Sequence, residues 1–138
     1  MVVKVDTSNT MASSGRQSVR IESKRQYNTG LFIFDILHTP YACGLWPALW
    51  LTDGANWPDN GEIDVVETNN LATEGNAVTL HTTDGCNMKV KRKQTGEPNY
   101  VTCDSNKHSN AGCGVEGESN TYGAELNSAG GGVRSILL

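Results

Sequence analysis

At residues 61–67 the chain reads Gly61-Glu62-Ile63-Asp64-Val65-Val66-Glu67, which sets three carboxylates among β-branched residues. Val and Ile favour strands, so the segment is predicted to be a β-strand rather than a charged loop. Side chains of a strand alternate between its faces, so Glu62 and Asp64 share a face while Glu67 points away. One extra residue near Val65-Val66, a β-bulge, would return Glu67 to the shared face. Bulges are common beside active sites, and we therefore predict one here.

A row of carboxyl groups suits glycoside hydrolysis, which typically uses one carboxyl as nucleophile or base and another as acid. A carboxyl between them can hold a proton or a hydrogen bond and keep the pKa values of the other two apart. The alternative is a solvated strand whose acidic residues face water. The residues before the acidic run favour the first interpretation.

The three tryptophans of the chain, Trp46, Trp50 and Trp57, lie just before the acidic run. Indole rings stack on the apolar faces of sugars and offer an N–H donor at their edge. Trp50 and Trp57 are predicted to bind sugar rings, with packing in the core as the alternative. Trp46 shares strand parity with Trp50, but for Trp46 we expect a core position.

Four motifs together resemble the core of glycoside hydrolase family 16, and most of all its fungal endo-β-1,3(4)-glucanase (laminarinase-like) branch. They are Gly44-Leu-Trp-Pro-Ala-Leu-Trp50, Asn56-Trp-Pro58, the acidic run and Thr79-Leu-His-Thr82. The resemblance covers roughly residues 15–133. It implies an all-β protein, a concanavalin A-like β-jelly-roll sandwich. It also implies endo-acting hydrolysis of β-1,3-glucan or mixed-linked β-1,3-1,4-glucan with retention of configuration.

By this resemblance Glu62 is the nucleophile, Asp64 assists it and Glu67 is the acid/base. The residues that would bind the substrate in the cleft are Trp50, Trp57 and His81. For His81 the alternative is a histidine fixed by structural hydrogen bonds. No metal or other cofactor is implied, and the expected partner is a β-glucan polysaccharide.

Other functions remain open at this stage. A transglycosylase acting on cell-wall glucan is one, because retaining chemistry lets a sugar replace water as the acceptor. A non-catalytic carbohydrate-binding fragment is another, and a non-functional fragment is a third. The intact set of Glu62, Asp64 and Glu67 argues against a protein that has lost catalysis, since binding alone does not need it.

Composition limits the partners. A chain of 138 residues with 37% apolar residues fits one domain with a modest core. The net charge of −4 argues against nucleic acid, and the lack of an 18-residue apolar run argues against a membrane span. We expect a monomer. The apolar stretch after Met1 is too short for a signal peptide, whereas the resemblance implies a secreted protein.

The four cysteines are Cys43, Cys86, Cys103 and Cys113. They allow two disulfides in any of three connectivities, which sequence cannot distinguish. Their setting in Gly- and Asn-rich turns suits an oxidising compartment. Metal binding is a weak alternative, because the chain has no C-x-x-C pair.

Further strands are predicted around the acidic run. Residues 17–23 alternate apolar and polar side chains, as a half-buried strand does. Residues 30–37 carry apolar side chains on both faces and are predicted to form a central strand between two layers. Residues 77–82 are predicted to be another strand. From about Asp84 the chain becomes polar and Gly-rich, which indicates a long loop region.

The end of the chain departs from the family pattern. We expect the match to the family to stop after about Val133, where the family continues into further strands. Residues 1–138 are therefore expected to form a single partial catalytic domain, the N-terminal part of the jelly roll only. Missing strands would leave strand edges and an apolar face exposed to water. We accordingly expect weak activity or none from the chain as written.

Overall fold

The computed structural model describes residues 1–8 and 10–138. Within these residues the chain forms seven strands and one short α-helix, in the following order: β1 Leu31–Ile36, β2 Ala48–Thr52, β3 Glu62–Glu67, β4 Ala77–His81, β5 Glu97–Pro98, β6 Cys113–Glu116, α1 Gly123–Ser128 and β7 Gly132–Leu137. Single 3₁₀ turns lie at Gly54–Asn56 and Ser119–Thr121. In the described part of the chain every helix is too short or too polar to cross a membrane.

The strands make two antiparallel sheets. One sheet has the order β2-β3-β4-β6-β5, and in the other β1 pairs with β7. The core centres on the buried side chains of Val65, Val66 and Tyr122. Partly buried apolar side chains from both sheets pack against them: Phe34, Ile36, Leu49, Leu51 and Ile136, together with Ala72 from the loop between β3 and β4. The two sheets therefore pack face to face, which confirms the prediction of an all-β sandwich.

The predicted strand at residues 17–23 is wrong, since these residues are exposed and have no regular secondary structure. A strand needs a neighbour for its backbone hydrogen bonds, and none of the strands described above pairs with this segment. Alternation of apolar and polar side chains is therefore not sufficient here. One side chain of the segment, Arg20, instead reaches the ring of Trp50.

The strand predicted at residues 30–37 forms as β1, but its predicted burial on both faces is wrong. Phe34 and Ile36 pack into the core, whereas Leu31 and Ile33 are each 62% exposed. The two-stranded sheet is thus covered by the larger sheet on one side only in the part of the chain that the structure describes.

The C-terminal segment holds structure that the sequence did not indicate. Strand β7 runs to Leu137 and pairs with β1 along its whole length, so regular structure continues past Val133. Strand β6 and helix α1 were also missed. Residues 84–112 have little regular structure apart from β5, as predicted for a loop region.

One disulfide joins Cys103 to Cys113, and Cys43 and Cys86 are exposed thiols.

Helix α1 is fixed against the segment that follows β1. The Asn127 side chain accepts from the Thr39 N–H at 2.8 Å and donates to the Thr39 carbonyl at 2.9 Å. The Tyr122 hydroxyl donates to the Pro40 carbonyl at 2.9 Å, and burial raises the pKa of Tyr122 to about 12. Tyr122 thus links the core to this segment through one buried hydrogen bond.

Replacing Tyr122 by Phe keeps the ring in the core but leaves the Pro40 carbonyl without its donor. We expect Tyr122→Phe to lower the free energy of unfolding by about 1–2 kcal/mol. Denaturant titration measures the change. Tyr27→Phe is the matched control, because Tyr27 is 55% exposed. Removal of its hydroxyl should change the free energy of unfolding by less than about 0.5 kcal/mol. Equal changes in the free energy of unfolding for Tyr122→Phe and Tyr27→Phe would contradict a stabilising role of the Tyr122–Pro40 hydrogen bond.

Candidate active site

The acidic run forms β3, and its pairing contains the predicted irregularity. Against β4, Asp64 pairs with Thr79 and Glu67 with Ala77, so two residues of β3 lie opposite one residue of β4. The pairing with β2 shifts at the same level. This is a β-bulge at Val65-Val66, which confirms the prediction made from side-chain parity.

The bulge separates the two faces of β3. Residues that pair across neighbouring strands lie on the same face of the sheet. Glu62 pairs with Thr52 and His81, and Asp64 pairs with Trp50 and Thr79. Glu67 pairs with Ala48 and Ala77. Val65 and Val66 both contribute to the core on the other side. The structure therefore brings Glu62, Asp64 and Glu67 into one row.

Asp64, in the middle of the row, is 2% exposed and is paired with His81. The distance from His81 Nε2 to Asp64 Oδ2 is 3.1 Å, and His81 Nδ1 lies 3.0 Å from Asn110 Oδ1. The hydrogen bond to Asp64 is the main cause that raises the pKa of His81 above its usual value. A protonated imidazole can donate to Asp64 Oδ2 and to Asn110 Oδ1 at the same time, which suits this arrangement.

The loop between the two disulfide cysteines holds His81 in place. Asn110 has a positive φ of 64°, a left-handed conformation that Asn tolerates better than most residues. A Cβ at Gly112 would lie 2.6 Å from Thr79 Cγ2 and 2.9 Å from His81 Cε1, so only Gly allows this close approach. His81 is 7% exposed and both ring nitrogens are engaged. Its position favours the structural alternative over direct contact with substrate.

The outer carboxyls, Glu62 and Glu67, are half-buried, and each has a tryptophan donor. Burial is the main cause that raises the pKa of both groups, and the nearby Asp64 adds to it. A hydrogen bond from Trp57 opposes the rise at Glu62. Trp46 Nε1 donates to Glu67 Oε1 at 2.8 Å and opposes the rise there.

The tryptophans differ from expectation in one case. Trp46 is 70% exposed, so its predicted core position is wrong. It precedes the start of β2, and strand parity therefore does not apply to it. Trp57 is 42% exposed, and Trp50 lies beneath the Arg20 guanidinium, which is 4.5 Å from the ring centroid. Trp46 and Arg20 also lie at the site, although neither was predicted there.

A pocket of about 310 Å³ lies beside Glu62 and is lined by Arg20, Trp50, Thr52, Gly54, Trp57 and Glu62. Across residues 1–8 and 10–138, no three His, Cys, Asp or Glu side chains are grouped as a metal site requires. The chemistry available at the row is therefore that of carboxyl groups, indole N–H donors and one imidazole.

An antiparallel sandwich with a row of carboxyls beside exposed indoles fits the glycoside hydrolase class. The chain belongs to glycoside hydrolase family 16, since residues 1–137 match the family model described as XgeA-like, catalytic GH16 domain.

Fungal relatives are similar over most of the chain. A probable glycosidase of Schizosaccharomyces pombe is 51% identical over 125 residues, which cover 88% of this chain and 29% of the relative. The endo-1,3(4)-β-glucanase xgeA of Emericella nidulans is 42% identical over 128 residues, covering 92% of this chain and 20% of the relative. The chain thus spans less than a third of the length of these relatives.

Solved structures share the fold closely. Laminarinase 16A from Phanerochaete chrysosporium, with 6-O-glucosyl-laminaritriose in donor and acceptor sites, has a TM-score of 0.90 and 41% identity, covering 98% of this chain and 46% of that one. An elongating family 16 β-1,3-glucosyltransferase has a TM-score of 0.83 and 40% identity, covering 96% and 45%. The jelly-roll fold is therefore shown.

The raised pKa of His81 gives stability a defined pH dependence. A raised pKa means that folding favours the charged imidazole, so this stabilisation is complete below the unfolded value of about 6.5. It is lost as pH rises through the folded pKa. Asp64→Asn removes the main cause, so NMR titration should show a lower His81 pKa, and unfolding experiments should show the larger stability deficit at acidic pH.

Asp59→Asn is the control, because Asp59 is an exposed acid outside the row. It should leave the titration of His81 unchanged. An unchanged His81 titration in Asp64→Asn would contradict the pairing.

Proposed function

We propose that this chain is part of a single endo-acting hydrolase domain for β-1,3-glucan or mixed-linked β-1,3-1,4-glucan, with a retaining mechanism. Glu62 is the nucleophile, Glu67 is the acid/base and Asp64 assists Glu62. The observation that carries the proposal is the bulge in β3, which sets Glu67 in the same row as Glu62. Retaining enzymes need two carboxyls on opposite sides of one scissile bond, about 5–5.5 Å apart.

In the first step the Glu62 carboxylate attacks the anomeric carbon while the glycosidic C–O bond breaks. Glu67 gives its proton to the departing oxygen, and a glycosyl ester on Glu62 results. In the second step Glu67 takes a proton from water, the oxygen of which attacks the same carbon and frees Glu62. The raised pKa of Glu67 suits a group that must start protonated.

Burial and the neighbouring Asp64 carboxyl raise the pKa of Glu62. The charge of His81 and a hydrogen bond from Trp57 oppose this rise. Asp64 lies next to Glu62 in the row, and His81 fixes the position of Asp64.

The tryptophans support a substrate that runs along the row. Trp57 lies at the Glu62 end and Trp46 at the Glu67 end, so sugar units on both sides of the scissile bond have an indole within reach. Trp50 and Trp57 are assigned to sugar binding, and His81 to holding Asp64. Relatives named as endo-1,3(4)-β-glucanases, and a laminarinase solved with a laminaritriose derivative, support a β-1,3-linked glucan.

Transglycosylation is the second candidate, because one structural neighbour is an elongating β-1,3-glucosyltransferase. A sugar hydroxyl would then replace water in the second step. Products longer than the laminari-oligosaccharide supplied would identify this activity. The disulfide between Cys103 and Cys113 supports a secreted location, since such bonds persist in oxidising compartments.

The roles of the two outer glutamates have different signatures. In a chain that contains the complete domain, Glu62→Gln should abolish hydrolysis of laminarin and barley β-glucan, because no nucleophile remains to form the ester. Glu67→Ala should lose activity on the polysaccharides but keep more on aryl glycosides with good leaving groups, and azide should restore part of it. Reducing-sugar assays measure the first loss, and NMR of the initial product shows whether its configuration is β.

Glu74→Gln is the matched control for both variants, because Glu74 is exposed and outside the row. It should leave hydrolysis unchanged. Near-native turnover by Glu62→Gln would refute the assignment.

The indoles near Glu62, the exposed Trp57 and the half-buried Trp50, should contribute to substrate binding. Trp57→Ala is expected to weaken binding of laminari-oligosaccharides by up to about 3 kcal/mol, judged from the ring area that a sugar covers. Trp50→Ala should act in the same direction. Calorimetric titration measures both, with Tyr100→Ala as the control, because Tyr100 is an exposed aromatic residue in the loop after β5, at the other edge of the sheet from β2 and β3. Unchanged affinity in both tryptophan variants would remove these residues from the subsite.

A further inference from the structure

The bulge leaves two backbone groups of β3 to be satisfied from outside the ladder, and Asn76 satisfies both. Its Nδ2 donates to the Val65 carbonyl at 2.9 Å, and its Oδ1 accepts from the Glu67 N–H at 3.1 Å. The same Nδ2 also donates to the Ala77 carbonyl at 3.1 Å. One side-chain amide therefore occupies the gap in the ladder immediately before Glu67.

Asn76 is itself held firmly from behind. It is 3% exposed, its N–H donates to Thr121 Oγ1 at 2.8 Å, and its carbonyl accepts from the Gly117 N–H at 2.9 Å. A Cβ at the preceding Gly75 would lie 2.1 Å from the Gly117 carbonyl oxygen, so only Gly permits this contact. The amide is thus fixed by the segment after β6 before it meets the bulge.

We propose that Asn76 is a positioning residue for Glu67, and this rests on the acid/base role proposed above. The hydrogen bond from the Glu67 N–H to Asn76 fixes the backbone of Glu67. The orientation of this backbone sets the direction in which the Cα–Cβ bond of Glu67 leaves the strand. A primary amide supplies a donor and an acceptor in one planar group, whereas Asp lacks the donor and Leu lacks both. The bond pattern therefore calls for a primary amide at this position.

The kinetic test compares two leaving groups. Protonation by Glu67 matters for a sugar leaving group and little for a dinitrophenolate, so misplacing Glu67 should affect the two unequally. We expect Asn76→Ala to lower kcat/KM on laminarin about 10- to 100-fold while kcat/KM on a 2,4-dinitrophenyl β-glucoside or laminaribioside changes far less. A shift in the basic limb of the pH profile should accompany the loss.

Asn127→Ala is the matched control, because Asn127 also makes several amide hydrogen bonds but to Thr39, away from the row. Any loss it causes should be the same for both substrates. Equal losses on the two substrates in Asn76→Ala would overturn the proposal, since they would mean a purely structural role.

A second measurement does not depend on activity or on a variant that folds. In the wild-type chain, NMR hydrogen exchange should show slow exchange for the Asn76 side-chain amide protons and for the Glu67 N–H. In Asn76→Ala, if folded, the Glu67 N–H should lose protection while the N–H of Glu62 keeps it. Fast exchange of both groups in the wild type would overturn the proposal.

The two hypotheses fail differently. A complete wild-type domain that is inert on every β-glucan and aryl glycoside contradicts the proposed function. Protection of the Asn76 amide and the Glu67 N–H would then still support the positioning role, and its absence would reject it.

Discussion

The extra residue in β3 is the constraint on which the rest of the site depends. In a regular strand Glu67 would point between the sheets, where an unpaired carboxylate is costly to bury. With the bulge, Val65 at 2% exposure and Val66 at 6% both lie in the core, and Glu67 joins Glu62 on the opposite face. One backbone irregularity thus reconciles a closed core with a row of three acids.

A row of acids this close together needs compensating donors, and the structure supplies a different one for each. Asp64 has the His81 imidazole, Glu67 has the Trp46 indole, and Glu62 has the Trp57 indole. Burial raises the pKa of both outer groups, and these neutral donors moderate the rise without adding charge. The charged donor, His81, pairs with the buried Asp64 at the centre of the row. From there its positive charge also acts to lower the pKa of Glu62 and of Glu67.

The sequence predicted what depends on local pattern. Parity in β3 was enough to locate the bulge, because the three carboxylates and the two valines constrain both faces at once. Parity failed for Trp46, which lies before β2 begins, and for residues 17–23, which alternate without a neighbouring strand. Burial of β1 on both faces was also mispredicted, since apolar composition does not reveal how many layers cover a strand.

The supporting residues could not be predicted, because they reach the row from distant parts of the chain. Asn110 meets His81 across 29 residues, and Thr121 meets Asn76 across 45. The disulfide Cys103–Cys113 closes the loop that carries Asn110, and a cross-link over 10 residues removes roughly 3 kcal/mol of chain entropy from the unfolded state in the loop-closure model. The strands thus carry the reactive carboxyls, while ordered loops set their orientation. Strand patterns in a sequence reveal the carboxyl groups, but only the folded structure of the loops reveals the residues that orient them.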